Sequence, residues 1–85
     1  MTTPYEIYLE LQRRAIKEST PEKHFYGVCG NIGNGEKMFL LNCADNDEIK
    51  RVDLTESQIK EMLKVMTKEQ IIDGWFKKIK GENND

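Results

Sequence analysis

The stretch from His24 to Leu54, HFYGVCGNIGNGEKMFLLNCADNDEIKRVDL, restricts the possible folds of this chain more than any other part of it. Apolar residues alternate or cluster in three short runs, separated by Asn34-Gly35 and Asn46-Asp47. Runs of that length between such pairs read as antiparallel strands joined by tight turns. Asn-Gly is the pair that accepts positive φ most cheaply, so it suits a two-residue hairpin turn. A turn there sets Ile32 opposite Lys37, Gly30 opposite Phe39, Val28 opposite Leu41 and Tyr26 opposite Cys43. A second turn at Asn46-Asp47 sets Leu41 opposite Val52 and Phe39 opposite Leu54.

The two turns together predict a core face of Tyr26, Val28, Ile32, Phe39, Leu41, Cys43, Val52 and Leu54. The other face is expected to carry Phe25, Cys29, Asn31, Met38, Leu40, Asn42, Ala44, Ile49 and Arg51, with a gap at Gly27. A slip of one residue at either turn would send one strand's apolar set to the opposite side. A solvated face of an antiparallel sheet is normally polar, and this one is mixed.

Helix signals stand on both sides of the strands. Thr3, Pro4 and Glu6 form a capping box with proline at the first helical position. Tyr5, Tyr8, Leu9, Leu11, Ala15 and Ile16 then fall on about half of the helix circumference. Gln12 lies within that arc, where it is expected to bond a backbone group, and Pro21 ends the helix. After the strands the same device occurs twice: Thr55 with Gln58, and Thr67 with Gln70. Two further helices are therefore expected, one carrying Ile59, Met62, Leu63 and Met66, the next carrying Ile71, Ile72, Trp75, Phe76 and Ile79. Gly81 suits a helix stop. The fold class is α+β, in the order α-β-β-β-α-α, as a single domain over 1–81 with a disordered tail at 82–85.

Composition narrows the function. A chain of 85 residues with 13 basic and 15 acidic side chains carries a net charge of −2, whereas nucleic-acid binders draw much of their affinity from a basic surplus. No apolar run approaches the ~20 residues of a membrane span, and the opening residues lack the apolar core of a signal peptide. The expectation is a cytoplasmic protein that does not bind membranes.

Chemical motifs are scarce. In the two-residue register Cys29 and Cys43 face opposite ways, which argues against an internal disulfide. One histidine, His24, and two separated cysteines are too few for a zinc site. The acidic run Asp45-Asn46-Asp47-Glu48 lacks the ligand spacing and glycine of a calcium loop. Gly33-Asn34-Gly35 lacks the spacing of a phosphate loop. No paired carboxylates or nucleophile–base couple stand out, so no enzyme, no metal and no cofactor are expected. Trp75 and Phe76 are read as core rather than as an exposed hot spot.

The leading expectation is a small non-enzymatic interaction protein, an adaptor or inhibitor of the size that phages and mobile elements encode. It would bind a protein partner, or itself as a homodimer, through Phe25, Asn31, Met38, Leu40, Asn42, Ile49 and Arg51. The first alternative is a nucleic-acid accessory protein using Lys77, Lys78 and Lys80, joined by Arg13 and Arg14. The second is a small-molecule sensor with its ligand between sheet and helices beside Gly27 and Gly30.

Overall fold

The computed structural model describes residues 2–81, and the tail expected at 82–85 lies outside them. The element order is α1 (Pro4–Glu18), β1 (Lys23–Asn31), β2 (Lys37–Asp45), β3 (Glu48–Thr55), α2 (Glu56–Met62) and α3 (Lys68–Ile79). The three strands form one open antiparallel sheet in the order β1-β2-β3, and the fold is α+β.

All three helices start at the capping boxes visible in the sequence. Thr3, Thr55 and Thr67 each accept the backbone N–H three residues on, and Glu6, Gln58 and Gln70 reach back to the cap. Each box satisfies two backbone donors that a helix start would otherwise leave unpaired. At the other end of α1, Ser19 turns extended two residues before Pro21.

The β2–β3 register is the one set by a turn at Asn46-Asp47, with Leu41 opposite Val52 and Phe39 opposite Leu54. Asn46 takes φ of 56° to make it. The β1–β2 register differs from the expected one by a single residue. Phe25 stands opposite Cys43, Gly27 opposite Leu41 and Cys29 opposite Phe39. The cause is loop length. Ile32 N–H donates to the Glu36 carbonyl at 2.8 Å, and Gly35 N–H donates to the Ile32 carbonyl at 3.0 Å. The loop is therefore Gly33-Asn34-Gly35, three residues long, with Gly35 alone at positive φ (83°). Asn34 instead uses its side chain, accepting the Glu36 N–H at 3.1 Å.

That one-residue difference exchanges the two sides of β1. Phe25 is buried in the core, and Tyr26 and Val28 are on the outside. Packing above the sheet favours this arrangement. The Phe25 ring lies 5.5 Å from that of Phe76 on α3, and Gly27 passes directly beneath Tyr8 and Gln12 of α1.

The helices share one face of the sheet. α1 lies on β1, α3 on β2 and β3, and α2 on the end of the β2–β3 pair. Between the layers, Phe39 and Leu41 of the central strand are fully buried with Ile7, Leu11, Ile59, Ile71 and Phe76. Each such side chain contributes about 1.5–3 kcal/mol relative to exposure. Trp75 is buried as expected, and its indole N–H donates to the Val52 carbonyl at 2.9 Å. The apolar arc expected on α1 divides in two. Tyr8, Leu11 and Ala15 face the core together with Ile7, while Tyr5, Leu9 and Ile16 are exposed. Gln12 bonds a side chain rather than backbone, donating to the Tyr8 hydroxyl at 2.9 Å.

Candidate functional site

With every helix on one side, the second face of the sheet is left to water. Strand alternation assigns its residues from the observed register. β1 supplies His24, Tyr26, Val28 and Gly30; β2 supplies Met38, Leu40, Asn42 and Ala44; β3 supplies Ile49, Arg51, Asp53 and Thr55. Val28, Leu40 and Asp53 make one cross-strand row, and Tyr26, Asn42 and Arg51 the next. An apolar band formed by Met38, Leu40, Val28 and Tyr26 crosses β1 and β2. Ile49, 70% exposed, stands at the far corner beside Ala44.

Of the seven residues expected to bind a partner, the structure brings five to this face: Met38, Leu40, Asn42, Ile49 and Arg51. Phe25 is not among them, because the three-residue loop turns it into the core. Asn31 is not either, since it alternates with Gly30 onto the helix side at the exposed end of β1. Tyr26 and Val28 take their places. The Gly-Asn-Gly triplet was the signal that could have revealed this, because it also fits a three-residue hairpin loop with glycine in the left-handed position.

The charged pair of the face lies on the β3 side. Arg51 Nε and Asp53 Oδ2 lie 3.8 Å apart, both well exposed, so this rim carries one charge of each sign. Asn42 sits in the middle strand between Tyr26 and Arg51. Its Oδ1 is buried and receives no hydrogen bond from the described residues. A buried acceptor left unpaired costs about 1–3 kcal/mol.

The other candidate residues are placed differently. Lys77 and Lys78 are exposed on α3. Lys80 turns inward, donating to Glu18 at 2.9 Å and standing 5.9 Å from the Phe25 and Phe76 ring centres. Arg14 likewise bonds Asp73 at 2.6 Å and Glu18 at 3.1 Å. These contacts join α1 to α3, and two of the cations proposed for nucleic acid are committed to them.

The two strand glycines differ in their surroundings. A Cβ at Gly27 would meet Gln12 Cγ at 3.1 Å, and Gly30 lies on the open face. A groove of about 680 Å³ lies between the start of α1 and the α2–α3 junction, with Pro4, Leu63 and Met66 among its lining residues. The two cysteines share the helix side of the sheet rather than opposing it. Cys29 is exposed and Cys43, beside Phe25, is buried. Four residues of strand, roughly 13 Å, separate them, too far for a disulfide. Burial pushes the Cys43 thiol up. No group of three or more potential metal ligands occurs among the described residues.

Comparison of the chain with protein-family models, with curated proteins and with solved structures returned no match.

Proposed function

We propose that this chain is a non-enzymatic interaction module that binds a protein partner through the open face of its sheet. One observation carries the reading: all three helices cover the same face, while the uncovered face presents Tyr26, Val28, Met38, Leu40 and Ile49 across all three strands. Contiguous apolar surface rimmed by polar groups is characteristic of protein interfaces. Tyr26 and Arg51 are of the residue types that dominate such contacts, and Met38 adapts its shape to a partner. A module of this kind works by occupying a partner's surface, as an adaptor or an inhibitor does.

The test is affinity capture with wild type and with Leu40→Asp, followed by reconstitution with the purified captured protein. The expected result is a partner held by wild type and lost by the folded Leu40→Asp variant, with hydrogen-exchange protection over 38–42. An identical set of captured proteins for both chains would sink the reading.

A further inference from the structure

We propose that two copies of this chain pair through the outer edge of β1 and the adjoining side of α1, joining their sheets into one six-stranded sheet about a two-fold axis at Val28. The inference does not depend on what the open face binds. It rests on the β1 backbone and on a second apolar stripe of α1.

Within an antiparallel ladder, the N–H and C=O of a residue point together to one side, alternating along the strand. At the start of β1 the odd-numbered residues point outward. The Lys23 carbonyl accepts from Thr20 N–H at 2.7 Å, and Phe25 N–H donates to the Ser19 hydroxyl at 2.9 Å. The same alternation turns Gly27, Cys29 and Asn31 outward, and no described residue bonds their backbone groups on that side. From Phe25 to Asn31 the strand carries no charge and no proline. β3, the opposite edge, carries Glu48, Lys50, Arg51 and Asp53, the protection that edge strands normally use against pairing. Only one edge is protected.

The stripe lies beside the unprotected one. Tyr5, Leu9, Gln12 and Ile16 follow an i, i+4, i+7, i+11 spacing, within about 60° of the helix circumference. This is the spacing with which one helix packs along another. Tyr5, Leu9 and Ile16 are 51%, 36% and 75% exposed. Arg14, which bonds α3, points roughly 140–180° away from them. Since α3 lies over β2 and β3 while α1 lies over β1, the stripe looks out past the β1 edge.

A second copy of this chain fits both features at once. Gly27 lies under Tyr8 and Gln12, so Val28 stands below the middle of the stripe, and one axis normal to the sheet serves strand and helix together. Around it, the backbone of Gly27 meets that of Cys29 in the other copy, and the reverse, giving four new hydrogen bonds. Tyr26 falls opposite the other copy's Gly30, where a ring covers a bare backbone. The helices run antiparallel, with Leu9 opposite Gln12 and Tyr5 opposite Ile16. A stable pair buries about 800 Å² on each side. A strand edge alone falls short of that, and the stripe supplies the apolar remainder.

The test is sedimentation in reducing buffer from micromolar to submillimolar concentration, together with a cross-linking variant. Wild type is expected at twice its 9.9 kDa mass. The double variant Leu9→Glu/Ile16→Glu, altered only at exposed positions, is expected to raise the dimer Kd at least tenfold with an unchanged circular dichroism spectrum. Val28→Cys in a Cys29→Ser background is expected to form a disulfide-linked dimer on mild oxidation, because the two positions face each other across the axis. A wild-type monomer at every concentration overturns the proposal. So does a dimer that the double variant leaves intact while Leu40→Asp splits it, or one that Val28→Cys fails to cross-link.

Discussion

At Gly27 the backbone of β1 runs so close under α1 that a Cβ would lie 3.1 Å from Gln12 Cγ and 3.2 Å from Tyr8 Cε1. Both contacts are tighter than ordinary packing, and Tyr8 is itself held against Phe39 with ring centres 5.3 Å apart. Gly27→Ala is therefore expected to destabilise the fold by about 1–3 kcal/mol, the usual range for overpacking. Gly30, three residues on, has nothing within 4 Å of the corresponding position. Gly30→Ala is expected to change stability by no more than about 0.5 kcal/mol. Urea denaturation of the two variants measures the contrast, and a reversed order would mean that β1 pairs in the two-residue-turn register. Trp75→Phe keeps a ring in the core but leaves the indole's hydrogen bond to Val52 unmade. A loss of about 1 kcal/mol is expected from the same measurement.

Between elements, the contact of α1 with α3 depends on a short chain of charges: Asp73, Arg14, Glu18 and Lys80. Hydrogen bonds from Lys80 and then Arg14 hold the Glu18 carboxyl below the ordinary glutamate range. A group whose pKa falls on folding stabilises the native state above its unfolded pKa, and that contribution is lost as pH drops through the folded value. Glu18→Gln is thus expected to cost roughly 1 kcal/mol at neutral pH, a modest figure because the cluster is partly open to water. The difference from wild type should vanish as pH falls well below about 4.3, the unperturbed glutamate value. Thermal melts of both proteins at neutral and strongly acidic pH read this directly, and a gap that persists in acid would assign the loss to packing. At the α3 start, Thr67→Ala removes the side chain that accepts from Gln70 N–H. It is expected to cost about 1 kcal/mol, with most of that restored by Thr67→Asp.

For the whole molecule, the two-layer build has an unequal consequence: the helix side closes over Phe39 and Leu41, while the opposite side keeps its apolar band. Pairing through β1 would set two such bands on one continuous sheet and would link stability to concentration. The midpoint of thermal unfolding is then expected to rise with protein concentration for wild type and to stay constant for Leu9→Glu/Ile16→Glu. Trp75, the one tryptophan of the chain and buried, reports the transition by fluorescence.

Much of this architecture was written locally. Capping boxes place all three helix starts because their chemistry lies within four consecutive residues. A two-residue loop at Asn46-Asp47 likewise sets Leu41 against Val52, and five of the seven expected face residues followed from the β2 and β3 alternation. The inward side of β1 was not determined in this way. Gly33-Asn34-Gly35 accommodates a two-residue or a three-residue turn, and HFYGVCGN offers an apolar residue to either face in both registers. The choice lies in contacts distant along the chain, Phe25 on Phe76 and Gly27 beneath Tyr8 and Gln12. The division of α1 into a buried arc and an exposed stripe has the same origin: periodicity shows which residues share an arc, and only the seat of the helix on β1 shows how much of it the core covers. Sequence alone determined the elements, because caps and turns act over a few residues; tertiary structure decided which surfaces remained free, because burial is a property of what arrives from elsewhere in the chain.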